Sequence, residues 1–153
     1  MTFSEFRLTM VNAMPMLLEA AMENASIPKR KTLPAVLEQY SAPYYEAFTN
    51  LAWLAAQTHK IELGTTVIVM PYRHPLHLAH LTANVDQLSG GRFIFGVGVG
   101  WAQSEFEVLG VPFHKRGAMT DDYLVAVKTL WTHEVASHEG PFVSFRDVTI
   151  SPK

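Results

Sequence analysis

Two runs rich in apolar residues, the first β-branched and nearly all apolar at its end, stand on either side of a single amphipathic helix pattern. Ile61 to Met70 reads IELGTTVIVM, and Arg92 to Val99 reads RFIFGVGV. Runs of this kind suit strands covered on both faces. Between them, Pro75 to Leu88 carries Leu78, Leu81, Val85 and Leu88 on one helical face and His77, His80, Asn84 and Gln87 on the other. Pro71 stops the first run, and Ser89-Gly90-Gly91 ends the helix. Strand, helix and strand joined by short links leave little choice but a βαβ unit with parallel strands and a right-handed crossover. The expected class is therefore α/β.

Helical spacing extends this order on both sides. Tyr44, Phe48, Leu51, Ala52 and Ala55 predict a helix over Pro43 to His59, with proline at its entry. Tyr123, Val127, Leu130 and Trp131 predict another over Ala118 to His133, with Asp121 and Asp122 near its positive end. Beyond it, the Glu139-Gly140-Pro141 turn signal and the alternating runs Phe142 to Phe145 and Asp147 to Ile150 suggest a small hairpin. The first forty residues differ in kind. Helices are expected from Pro15 to Asn24 and from Leu33 to Tyr40, with SIPKRKTLP as a loop between them.

Composition removes several function classes. The chain has 153 residues and is 48% hydrophobic, enough for one core. Twelve basic and fourteen acidic residues leave a formal charge of −2 without long runs of either sign, so nucleic acid is not expected as a partner. With no cysteine there is no disulfide, thiolate metal site or cysteine nucleophile, which fits a cytoplasmic location. No apolar stretch approaches the roughly 20 residues of a membrane span, and no signal peptide or anchor is expected.

The glycine-rich run GGRFIFGVGVGWAQSEF is the chemical candidate. A phosphate-binding P-loop needs Lys and then Ser or Thr after its last glycine, but Gly100 is followed by Trp101 and Ala102. The dinucleotide fingerprint G-x-G-x-x-G needs glycine at 101 or 103, where Trp101 and Gln103 stand. Gly96, Gly98 and Gly100 instead leave one face of a strand without side chains. That suits close packing, a bend, or a flat ligand at the carboxyl edge of a parallel sheet. His74, His77 and His80 lack a nearby carboxylate to complete a metal site and read as polar helix surface, so no metal is expected. Asp86 with Arg92, and Glu105 or Glu107 with Arg116, are the expected ion pairs. No Ser-His-Asp arrangement can be argued from spacing.

The elements Leu63-Gly64-Thr65, PYRHP (Pro71 to Pro75), DQLSGGRF (Asp86 to Phe93), GVGW (Gly98 to Trp101), SEFEVLGVPFHKRG (Ser104 to Gly117) and Leu130-Trp131-Thr132 occur in an order that resembles the luciferase-like monooxygenase superfamily. The resemblance spans about Pro43 to Pro152. It implies part of a (β/α)8 TIM barrel with the cofactor at its C-terminal mouth, the two runs above corresponding to the third and fourth strands. A non-proline cis peptide is implied at Thr66–Val67, beside the cofactor ring. The implied cofactor-binding residues are Thr65, Thr66, Val67, Gly98, Val99, Gly100 and Trp101, and the implied cofactor is FMN or the deazaflavin coenzyme F-420. The implied activity is an oxidoreductase acting on a small organic substrate, by oxygen insertion with the flavin or hydride transfer with the deazaflavin. The alternative is a truncated member that binds no cofactor and serves as a structural or oligomeric remnant. The family's acidic-His pair after the second strand has no match, since residues 1–40 contain no histidine, so no catalytic residue is carried over. A typical barrel takes about 250 residues. This shorter chain divides into a divergent N-terminal segment, 1–42, and a barrel portion, 43–153. The sheet edges of a part barrel require cover, so a homodimer or higher homo-oligomer is expected.

Overall fold

The structure is a computed structural model and describes residues 45–153. The expected helices over Pro15 to Asn24 and Leu33 to Tyr40, and Pro43 itself, lie outside the described residues, but the helix expected over Pro43 to His59 is shorter at both ends, because Tyr45 and Glu46 are not helical and the helix closes at Gln57. Helix α1, Ala47–Gln57, starts at an N-cap supplied by Glu46, whose carboxylate accepts from Thr49 N at 2.8 Å and from Thr49 Oγ1 at 3.0 Å. Burial by itself would raise the Glu46 pKa. Hydrogen bonds from Thr49 and Phe48 and the charge of Arg73 outweigh it and hold the carboxyl below its ordinary value.

The first apolar run is two short strands, β1 (Leu63–Gly64) and β2 (Ile68–Val69), rather than one. The second is likewise β3 (Phe93–Ile94) and β4 (Val97–Gly98). Their pairing is parallel, with Leu63 opposite Phe93, Gly64 opposite Ile94, Ile68 opposite Val97 and Val69 opposite Gly98. Thr65, Thr66 and Val67 lie between β1 and β2, whereas only Phe95 and Gly96 lie between β3 and β4. One residue more on one side makes a bulge, which interrupts both runs at the same level. The Thr66–Val67 peptide inside it is cis.

Helix α2, Pro75–Ser89, follows a 3-10 turn at Met70–Tyr72. His74 is its N-cap, with Nδ1 accepting from Leu76 N at 3.2 Å, and Pro75 takes the first helical position, where a missing N–H costs nothing. The helix ends at Gly90, whose φ of 69° is left-handed, with the N–H groups of Gly90 and Gly91 returning to the carbonyls of Gln87 and Asp86. Its inner face buries Leu78, Ala79, Ala83 and Val85, but Leu88 is 64% exposed, contrary to the expected apolar face. Leu88 stands on the outward side of the last turn, and Ser89, one residue on, is the buried one.

Helix α3 is Gln103–Leu109, and α4 is Arg116–Thr132, which begins two residues before its sequence pattern does. The α1, α2 and α4 helices pack together, and the core between them and the strands holds Phe48, Leu51, Leu63, Ile68, Met70, Leu78, Val127 and Leu130. Burying each such side chain is worth about 1.5–3 kcal/mol. Trp131 of α4 donates its indole N–H to Ala79 O of α2 at 3.2 Å, which satisfies the one polar atom of a large ring.

The hairpin is present but shifted. Its arms are β5 (Ala136–Glu139) and β6 (Ser144–Val148), antiparallel, so the Glu139-Gly140-Pro141 stretch leads into the turn instead of preceding the first arm. Asp122, expected only to sit near the positive end of α4, has a further role that the sequence did not assign. It is buried, and its carboxylate accepts from His138 Nε2 at 2.8 Å, Phe142 N at 2.9 Å and Val143 N at 3.1 Å. That single carboxylate holds the hairpin turn to α4 by charge-assisted bonds.

Candidate cofactor site

The site is assembled around the bulge. Thr65 N donates to Ile94 O at 3.2 Å and Ile68 N donates to Gly96 O at 2.9 Å, so the backbone ladder skips the residues between. The Thr65 hydroxyl fills the gap: it donates to Gly96 O at 2.7 Å and accepts from Gly96 N at 3.0 Å. A hydroxyl can do both at once, which is why a threonine suits the position. The consequence reaches its neighbours. With Thr65 turned inward and buried, Thr66 and Val67 are turned out, and Val67 is 55% exposed. Bulges commonly re-aim side chains in this way beside binding sites.

The three alternate glycines are packing positions first. A Cβ on Gly96 would strike the Thr65 carbonyl. One on Gly98 would lie 2.5 Å from Val67 Cγ2, and one on Gly100 would lie 2.7 Å from Val69 Cγ1 and 2.9 Å from the Phe106 ring. The face without side chains is thus pressed against the neighbouring strand, and it is this close approach that excludes larger residues. Gly100 also needs its flexibility, because its φ is 80°.

Beyond β4 the chain exposes apolar surface. Val99 is 43% and Trp101 79% exposed, and with Val67 in the bulge they place three large apolar side chains on the surface, where they gain nothing unless something covers them. Of the seven residues implied as cofactor-binding, Thr66, Val67, Val99 and Trp101 are exposed, Gly98 and Gly100 are half-buried, and Thr65 is buried with its hydroxyl committed to Gly96.

Polar groups flank this surface. Tyr72, the last residue of the 3-10 turn after β2, donates its hydroxyl to Glu105 Oε2 of α3 at 2.6 Å. Burial first, then the hydrogen bond and the charge of Glu105, push the Tyr72 pKa up to about 12, so the phenol keeps its proton at any ordinary pH. Arg73 pairs with Glu46 at 3.0 Å and lies over the Phe48 ring. Both expected ion pairs fail. Glu105 goes to Tyr72 and Glu107 to Gln103, while Arg116 donates to the carbonyls of Gly100 and Phe113 and lies 3.9 Å above the Phe113 ring. Arg92 ignores Asp86 and donates to Ala55, Thr58, Ile61 and Ser89. In each case a carbonyl, a phenol or an amide takes the place of the opposite charge that sequence proximity suggests. Tyr72, Glu105 and Arg116 are the residues sequence reasoning does not assign to the site. Their signal was present in the PYRHP and SEFEVLGVPFHKRG elements that carry the resemblance.

The luciferase-like monooxygenase profile matches residues 21–153. The chain belongs to that family. Among curated relatives, an FMNH(2)-dependent dimethylsulfone monooxygenase of Pseudomonas putida is 30% identical over 84% of this chain and 38% of its own length. A putative coenzyme F420-dependent oxidoreductase of Mycobacterium tuberculosis is 38% identical over 58% of this chain and 26% of its own. Among solved structures, the monooxygenase RslO1 of Streptomyces bottropensis superposes with a TM-score of 0.68 at 33% identity, covering 71% of this chain and 33% of that one. The chain therefore spans about a third of the length of the family members it matches. Its fold is part of the family's (β/α)8 barrel, with the βαβ unit as two adjacent staves.

Proposed function

We propose that the chain is the portion of a flavin- or deazaflavin-dependent oxidoreductase, of the luciferase-like monooxygenase type, that beds the cofactor ring against a small organic substrate. The observation that carries this is the exposure of Val67 in the bulge and of Val99 and Trp101 just beyond β4, toward the carboxyl ends of parallel strands, where barrel enzymes bind their ligands. A flat, largely apolar ring would cover these side chains, so the residues fit FMN or coenzyme F-420. Thr65, Thr66, Val67, Gly98, Val99, Gly100 and Trp101 would form the bed. The dimethylsulfone relative, by its name, uses reduced FMN, and the mycobacterial one coenzyme F420.

When bound, the reduced ring supplies the electrons, toward oxygen in the flavin case and as a hydride in the deazaflavin case. The chain's own part is placement. Thr65 closes the bulge from inside and sends Val67 outward, Gly98 lets the strands approach, and Trp101 offers a broad apolar face that excludes water. The Tyr72 phenol keeps its proton and holds it on Glu105, so it acts as a fixed donor at the rim rather than as a base. The barrel portion, 43–153, carries this site. The described strands pair only in twos, so each retains an open edge, and a homodimer or higher homo-oligomer covers such edges. No helix among the described residues is long and apolar enough to cross a membrane, and we place the protein in the cytoplasm.

Titration of the purified chain with FMN and with coenzyme F-420, followed by cofactor fluorescence, tests the proposal. Micromolar binding of either one, lost in Trp101→Ala, is the expected result. If neither binds, the cofactor-free remnant is the correct account of the chain.

A further inference from the structure

Trp101 is 79% exposed, so no packing of its own fixes the direction in which its indole stands. The residue before it, Gly100, is equally unable to fix it, since glycine enters and leaves a φ of 80° with little penalty. What holds this point of the chain comes from α4. Nε of Arg116 donates to the Gly100 carbonyl at 3.2 Å, and its Nη1 donates to Phe113 O at 3.0 Å. The guanidinium is itself braced, lying 3.9 Å above the Phe113 ring. Phe113 meets Phe106 edge-on at 5.3 Å, and Phe106 meets Tyr72 edge-on at 4.8 Å. Phe106 is fully buried and lies directly behind Gly100.

We propose that Arg116 is a positioning residue for the ring site: by gripping the Gly100 carbonyl it fixes the Gly100–Trp101 peptide and, through it, the indole of Trp101. In a planar trans peptide the N–H points opposite to the carbonyl. Aiming the Gly100 oxygen at Arg116 therefore sends the Trp101 N–H to the other side and sets the path along which the chain leaves β4. The proposal rests on the ring-binding function above for its purpose, but its geometry stands without it. The arginine-carbonyl bond is charge-assisted and partly shielded, so its loss corresponds to roughly a tenfold change in an equilibrium it supports.

Fluorine NMR of fluorotryptophan-labelled protein tests this, since the chain has three tryptophans and Trp101→Phe identifies the signal of interest. In Arg116→Met the Trp101 signal should shift and broaden while those of Trp53 and Trp131 stay in place, and affinity for the bound cofactor should fall about tenfold. Arg116→Lys keeps the charge but not the Nε donor partway along the side chain. It should disturb the same single signal, and it carries the test if the methionine variant does not fold. An unmoved Trp101 signal in either folded variant overturns the proposal, as does a common shift of all three signals, which would mean general loosening. If the unaltered chain binds neither FMN nor F-420, the ring-binding function fails, and the fluorine signals still decide whether Arg116 fixes Trp101.

Discussion

Arg92 and Arg116 stand at opposite ends of the same interrupted strand, and both turn their guanidinium groups toward backbone carbonyls. Arg92, just before β3, uses all five of its N–H donors: Nε to Ser89 O, Nη1 to Ile61 O and Thr58 Oγ1, and Nη2 to Ala55 O and Thr58 O. It closes the end of α1, where carbonyls lack helical partners, and ties β1, α2 and β3 together there. Arg116, beyond β4, makes two bonds and rests on a phenylalanine. At the first end the Arg92 guanidinium is fully matched, and the exposed large apolar side chains near it are Ile61 and Leu88. At the second, Val67, Val99 and Trp101 are in solvent. In a parallel α/β barrel the amino ends of the strands serve stability and the carboxyl ends serve binding. The same residue type is thus a rivet at one end and an aiming device at the other.

The largest expected effect falls on the rivet. Arg92→Met should lower unfolding stability by about 3 kcal/mol, because several half-buried carbonyls lose a charged partner together. Cofactor affinity in the folded fraction should be unchanged. Urea unfolding beside a fluorescence titration checks both, and a variant that keeps its stability but loses affinity would erase the distinction between the two ends. Next comes Gly98→Val, where the new Cβ presses on Val67, a stiff β-branched side chain. Stability should fall by about 2 kcal/mol and affinity should be lost along with it. Affinity lost at full stability would mean that the glycine faces the ligand rather than its neighbouring strand.

The smallest effect is electrostatic. Glu105→Gln removes a charge and weakens a hydrogen bond at Tyr72, so the phenol should titrate below its present value of about 12, stopping short of the ordinary 10 because burial remains. A raised pKa means that the protonated phenol is the favoured form in the folded chain. Its contribution is complete below pH 10 and is lost as the pH rises toward about 12. Phenolate absorbance against pH, with Tyr72→Phe as the blank, measures the change. No change in Glu105→Gln would sever the rim pair from the site.

Much of the local order was legible because its causes are local. Pro75 at the first position of α2 and the left-handed Gly90 at its end act through their own backbone, and both are visible in the sequence. The parallel pairing followed from two apolar runs and one helix. The bulge was not legible from periodicity, since it is a mismatch of one residue between strands 30 positions apart (Leu63 opposite Phe93, 93 − 63 = 30). It became visible only through the family resemblance, which marked Thr66–Val67. The hairpin was displaced because β5, Ser137-His138-Glu139 after Ala136, alternates in burial without looking apolar. What anchors its turn is Asp122, far back on α4. The ion pairs failed for a related reason: sequence proximity suggests charge partners, whereas arginine here satisfies carbonyls that only the folded chain brings together. At the site, the alternate glycines were readable as a strand without side chains on one face. That this face meets Thr65, Val67 and Val69 required the register.

The reach of Arg92 also has a meaning in time. Its partners lie as many as 37 residues back along the chain, at Ala55. Apart from the local bond to Ser89 O, these bonds cannot close until α1 has ended, β1 has been laid down and α2 has carried the chain back beside it. Such bonds belong to the last stage of folding, when the parts they join already stand in place. Their removal should therefore leave the folding rate almost untouched and appear as faster unfolding. The lower end of the barrel fragment is, in this sense, a clasp that governs how long the native state lasts rather than how soon it is reached.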